Sequence, residues 1–135
     1  MNHIEHGEQK ALLIWVRTLQ ARYPELGMLV AYPAGGKRPM VQNKRTGAWY
    51  CPEGKRLKDE GTVKGFPDLV LFVASQGYHG LALEMKAPGE KLRADQVEWM
   101  ERLAACGYKA TWADNWTIAA GIIADYLGLT EGVKP

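Results

Sequence analysis

The stretch GFPDLVLFVASQGYHGLALEMK, residues 65–86, holds two apolar runs separated by a turn. Leu69 to Ala74 has the length and composition of a buried strand, and Leu81 to Met85 has those of a partner strand. Gln76 to Gly80 between them supplies hairpin-turn residues. Side chains alternate along a strand, so Leu81, Leu83 and Met85 share one face, and Ala82, Glu84 and Lys86 share the other. Asp68 opens the first strand, and its carboxylate is expected to converge on Glu84 and Lys86. Two carboxylates at close quarters repel unless a proton or a divalent cation lies between them. An all-oxygen donor set with room for water favours a hard cation such as Mg²⁺.

Taken alone, a Glu-x-Lys triplet is ordinarily a salt bridge at a sheet edge. The Pro67-Asp68 step before a buried strand argues against that reading, and so do two polar residues on apolar helical stripes. Glu8 lies four residues before Leu12 and seven before Trp15, extending the apolar face of the first helix. Gln96 sits four residues from both Leu92 and Met100 on a later helix. A buried carboxylate needs a partner, and a buried amide needs hydrogen bonds.

Working outward, a helix is expected from Ile4 to Arg22, ended by Tyr23-Pro24 because the residue before proline leaves the α region. Met28 to Tyr32 reads as a strand. Residues 33–62 are rich in loop formers, with a short helix within Pro52 to Glu60. Beyond Lys86, a helix is expected over Leu92 to Cys106, a strand over Lys109 to Ala113, and a final helix capped by Asp114 or Asn115 and closed by Gly128. The order α-β-(loop)-β-β-α-β-α specifies an α/β domain with a mixed sheet flanked by helices. At 135 residues, with neither repeat nor linker, one domain spanning 1–135 is expected.

The chain is 47% hydrophobic and 24% charged, within the range of water-soluble globular proteins. No apolar run reaches the roughly 20 residues of a membrane helix, and the polar MNHIEHGEQK start lacks a signal-peptide core. A cytoplasmic location without membrane partners is therefore expected. Cys51 and Cys106 lack zinc-site or disulfide-framework spacing. The net charge of +2 is unevenly spread. Residues 34–66 hold eight basic residues against three acidic ones, a net +5 that leaves −3 for the remainder. Such a segment suits a polyanion such as DNA but is equally compatible with a solvated loop. Lys37, Arg38, Lys44, Arg45 and Lys64 are its candidate phosphate contacts. Trp49 and Tyr50 follow Lys44 and Arg45, and suit either stacking on an unpaired base or anchoring the loop to the domain.

Asp68 followed by Glu84-Met85-Lys86 resembles the PD-(D/E)xK nuclease superfamily. With Tyr32-Pro33-Ala34-Gly35-Gly36-Lys37-Arg38, Gly65-Phe66-Pro67-Asp68 and Gln96-Val97-Glu98-Trp99, the chain looks like its VRR-NUC branch, from about His6 to Trp112. Pro-Ala-Gly-Gly stands where the branch usually has Pro-Asn-Gly-Gly. Its short length resembles stand-alone phage and bacterial members, which are related to the Fanconi-associated nuclease. The resemblance implies a restriction-endonuclease-like core, Mg²⁺ or Mn²⁺ as cofactor, phosphodiester hydrolysis, and, for stand-alone members, Holliday-junction resolution by a homodimer. By position it implies that Asp68, Glu84, the Met85 carbonyl and Glu8 serve the metal. Lys86 would serve the attacking water and the transition state, and Gln96 would hold Lys86 or that water. The alternatives are a flap or other branched-DNA nuclease without resolvase symmetry, and a non-catalytic DNA-binding module. A partner-binding α/β domain has no specific residue in its favour.

Overall fold

The computed structural model describes residues 2–33 and 39–129. Helix α1 covers His3–Leu19 and is opened by Asn2, whose side chain accepts from the Glu5 N–H while Glu5 reaches back to the Asn2 N–H. It ends one turn earlier than expected, because Arg22 and Tyr23 both donate to the Leu19 carbonyl and tighten the chain into a turn. A 3₁₀ turn over Pro24–Met28, which the sequence reading did not include, then leads into strand β1, Leu29–Ala31. A two-stranded hairpin follows, β2 at Val41–Gln42 and β3 at Trp49–Tyr50, where only loop was expected. Next come helix α2 at Pro52–Asp59, β4 at Leu69–Leu71, β5 at Leu81–Met85, and α3 at Ala94–Ala105. Strand β6 at Lys109–Ala113 and α4 at Trp116–Leu127 complete the order.

The main sheet runs β1-β4-β5-β6, antiparallel except for the parallel β5–β6 pair. It is a mixed sheet flanked by helices, as the element order requires. Leu69, Leu71, Leu81, Leu83 and Met85 point to one face, where Leu12, Trp15 and Val16 of α1 and Ala119, Ala120, Ile123 and Tyr126 of α4 cover them. The opposite face carries Glu84 and Lys86, both buried, with α3 packed over the β6 side.

Strand β4 is shorter than the apolar run that contains it. Past Phe72, whose N–H still donates to the Met28 carbonyl, the chain bonds to α4: Tyr126 Oη donates to the Val73 carbonyl at 2.6 Å, and Ser75 Oγ donates to the Tyr126 carbonyl at 2.6 Å. The turn is a two-residue hairpin closed by reciprocal Ser75–Tyr78 bonds, with positive φ at Gln76 and Gly77. Glutamine is an unusual choice there. Its side-chain amide donates to the Asp125 and Tyr126 carbonyls at 2.6 and 3.0 Å, which ties the strained residue to the end of α4.

Candidate active site

The site forms where β4 begins and β5 ends. Backbone groups of Asp68 and Phe72 pair toward β1, so the odd-numbered residues of β4 pair toward β5. Continuing the register from Leu69↔Leu83 sets Pro67 opposite Met85. Proline has no N–H, so the ladder stops there and the Met85 carbonyl loses the donor that the register would assign to it. The Met85 N–H turns instead to the Asp68 carboxylate, donating to Oδ2 at 2.9 Å. The Asp68 N–H in turn donates to Glu84 Oε2 at 3.2 Å. Each carboxylate is thus oriented by the backbone of the neighbouring strand.

Glu84 is 4% exposed, and Gln96 and Lys86 are equally buried. Gln96 Oε1 accepts from the Arg93 N–H at 2.9 Å, which fixes the amide so that Nε2 donates to Glu84 Oε1 at 2.8 Å. Gln96 therefore holds Glu84, a partner that the sequence reading did not assign to it. Gly65 permits this approach. Its φ is +90°, and a Cβ there would lie 2.7 Å from the Asp95 carbonyl oxygen, so the segment leading to Asp68 is seated directly on the first turn of α3.

Burial, the Asp68 charge and a hydrogen bond shared with the Asp68 carboxyl push Glu84 up to about 9. Burial also raises Asp68, against the opposing pull of the Met85 N–H. The pair holds a proton at neutral pH when nothing else lies between the carboxyls. Lys86 acts electrostatically on both.

The structure does not bring Glu8 to this cluster. Glu8 Oε2 accepts from the Trp116 N–H at 2.6 Å, satisfying a free donor in the first turn of α4. The acid that α1 presents to the site is Glu5, buried, with Oε1 3.9 Å from Lys86 Nζ. Burial opposes its charge, but hydrogen bonds with Glu90 and the Asn2 N–H, together with Lys86, hold Glu5 below the usual carboxylate range. Glu90 is raised by the same contact. The sequence carried a signal for Glu5, which lies two turns before Leu12 and so in line with Leu12 and Val16. Glu8 lies two turns before Trp15, on the flank that meets α4.

Of the basic candidates, Lys44 and Arg45 lie exposed in the turn of the β2–β3 hairpin. Lys64 lines a cavity of about 560 Å³ with Leu57, Lys58, Thr62 and Val63. Its charge reaches Asp95, whose carboxyl Arg93 chiefly, and Lys64 in addition, hold low. Lys37 and Arg38 lie outside the described residues, as do residues 34–36 of the Pro-Ala-Gly-Gly motif.

Among the described residues no three His, Cys, Asp or Glu side chains gather as a metal cluster. The donors present are two carboxylates and a backbone carbonyl. They fit a hard divalent cation that retains several waters, since all are oxygens and the pair's raised proton affinity marks a deficit of positive charge between them.

A family model described as the VRR-NUC domain matches residues 6–115. The chain belongs to the VRR-NUC family. Membership makes it a nuclease domain, and the matched span includes Asp68, Glu84, Lys86 and Gln96. A solved structure of a VRR_NUC domain protein superposes with a TM-score of 0.72 at 24% identity, covering 96% of this chain and 92% of that one, which shows the shared fold. No curated protein matches the chain. Among the described residues no helix is long and apolar enough to cross a membrane.

Proposed function

We propose that this VRR-NUC protein is a Mg²⁺- or Mn²⁺-dependent endonuclease that hydrolyses phosphodiester bonds in branched DNA, acting as a homodimer. The observation that carries the reading is the convergence of Asp68, Glu84 and Lys86 where Pro67 ends the β4–β5 ladder. A salt bridge at a sheet edge would be exposed, whereas these three groups are buried or largely so, and the two carboxylates accept backbone N–H groups from across the strand pair, Glu84 from Asp68 and Asp68 from Met85.

Asp68, Glu84 and the Met85 carbonyl are the groups that would hold the cation. Its chemistry there is to lower the pKa of water and to draw charge from the scissile phosphate. The protein's own groups do the positioning. The Met85 and Asp68 N–H groups and the Gln96 amide fix both carboxylates before substrate arrives, so little reorganisation is needed during reaction. Lys86 projects from the same strand face as Glu84 and supplies a point charge to the non-bridging phosphate oxygens as negative charge accumulates. Glu5, 3.9 Å from its ammonium, balances part of that charge. Lys44, Arg45, Lys58 and Lys64 serve as phosphate contacts that position DNA without reading sequence.

The test is cleavage of a four-way junction and of a linear duplex, with Mg²⁺, with Mn²⁺ and with EDTA. Asp68→Asn, Glu84→Gln and Lys86→Ala are each expected to reduce metal-dependent cleavage about 100- to 1000-fold while junction binding persists, the size seen when a group acting on transition-state charge is lost. Near wild-type cleavage by any of them would remove that residue from the chemistry. Junction binding without cleavage by the wild type, in any of these metals, would leave a DNA-binding module.

A further inference from the structure

Among the described residues the β2–β3 hairpin belongs to no larger sheet. Its strands pair only with each other, Val41 opposite Tyr50 and Gln42 opposite Trp49. Paired positions share a face, so Trp49 stands on one side of the ribbon and Tyr50 with Val41 on the other. Both sides are open: Trp49 is 64% exposed, Tyr50 44%, Val41 41%, and neighbouring Met40 53%. A two-stranded hairpin is marginal in water and ordinarily buries its aromatics against a domain. Trp49, at 64% exposure, does not anchor the loop, which removes that reading for the indole.

The ribbon is nevertheless built to hold its shape. Asn43 Oδ1 accepts from the N–H groups of Arg45 and Thr46 at 2.9 and 3.1 Å, and the Gln42 amide donates to the Gly47 carbonyl at 3.2 Å. The Asn43 N–H donates to the Ala48 carbonyl, and the Gly47 N–H to the Asn43 carbonyl, both at 2.8 Å. Lys44 and Arg45 sit in this turn, and neither forms an ion pair among the described residues. The ribbon thus combines cations at its tip with exposed π-faces along its flanks. An apolar protein surface would leave the two cations unmatched. A nucleic acid with an unstacked base matches both, offering phosphates to the tip and a base face to the indole.

We propose that the hairpin is a branch-reading wedge, with Trp49 stacking on a base exposed at a discontinuity in DNA while Lys44 and Arg45 hold adjoining phosphates. This rests on the nuclease reading for the identity of the polymer, and it assigns recognition of the interrupted stack to the hairpin.

The probe is a three-way DNA junction carrying 2-aminopurine at the branch, titrated in EDTA, with the linear duplex of the same sequence as reference. Wild-type protein is expected to change the branch fluorescence and to prefer the junction. Trp49→Ala is expected to lower the junction-to-duplex affinity ratio by roughly 5- to 100-fold, the span of one base–aromatic stack. Trp49→Phe should recover most of that ratio. Lys44→Gln with Arg45→Gln should weaken junction and duplex alike. Circular dichroism melting confirms that each variant is folded. An unchanged ratio in folded Trp49→Ala overturns the wedge and leaves metal-dependent cleavage, assayed separately, standing. A fluorescence response and a Trp49-dependent ratio in protein that never cleaves would support the wedge and sink the nuclease reading instead.

Discussion

At the scale of single residues, the site turns on one shared proton. Glu84 holds its proton up to about pH 9, against an ordinary value of 4.5. Folding therefore takes up a proton between those limits that the unfolded chain has released. The contribution of this group to stability is fully present below about pH 4.5 and falls as pH rises toward 9, by up to about 1.4 kcal/mol per pH unit. Chemical denaturation of the protein in EDTA is accordingly expected to show lower stability at pH 8 than at pH 5.5, and Glu84→Gln to flatten that slope. A divalent cation competes with the proton, so Mg²⁺ or Mn²⁺ should stabilise more as pH rises. A wild-type stability rising from pH 5.5 to 8 in EDTA would contradict the shared-proton pair. Gln96→Leu tests the orientation argument separately. It keeps the carboxylates but frees Glu84, and is expected to lower cleavage less than Glu84→Gln does.

At the scale of elements, helix α1 presents two acids to two different neighbours. The apolar stripe read from the sequence was correct in kind, but a helix buries a broad face, and Leu12 and Trp15 lie on different parts of it. Glu5 follows the Leu12–Val16 line to Lys86, whereas Glu8 follows Trp15 to the head of α4. Loss of the Glu8 cap is expected to cost about 1 kcal/mol, seen as a lower denaturation midpoint in Glu8→Ala, with cleavage retained at permissive temperature. The strands, α3 and α4 were legible because each has a clear period and a stop residue such as Gly128, which has a φ of +65°. The β2–β3 hairpin was not, since two-residue strands without a buried face leave no alternation to read. The extent of β4 was hidden too, because bonds from Tyr126, 53 residues away, end it. The convergence of Asp68 and Glu84 followed from alternation and a short turn. The contact between Gln96 and Glu84 needed the close seating of Gly65 on α3. Gly65→Ala combines a positive φ with a clash against backbone and is expected to cost about 1–3 kcal/mol. Thermal melting checks this, and a neutral result would mean that the segment shifts without loss.

At the scale of the whole molecule, the two faces of the sheet are covered unequally. The α1–α4 face is filled, whereas on the active-site face α3 packs on β6, and the β1–β4 side leaves Met28, Val30 and Phe72 about half exposed. Val30 and Phe72 are large and apolar, and β1 is an edge strand of the main sheet, which proteins generally blunt or cover. A second copy pairing along β1 about a two-fold axis normal to the sheet would cover that edge. The same axis would keep both Glu84–Lys86 faces on one side while reversing their direction, the relation that two opposed cuts in one four-way junction require. α4 offers less for this purpose, since Ile123 is fully buried, Ile122 packs on the core, and of its three isoleucines only Ile118 is exposed. Light scattering over a micromolar concentration series is expected to give a dimer for the wild type and a monomer for Val30→Lys, which places a charge on the uncovered face. On an immobile junction the wild type should produce paired, symmetric nicks, and Val30→Lys single ones at a reduced rate. A wild-type monomer making unpaired nicks would exclude the resolvase arrangement and return β1 to an ordinary solvent-facing edge, while the chemistry at Asp68, Glu84 and Lys86 would be unaffected.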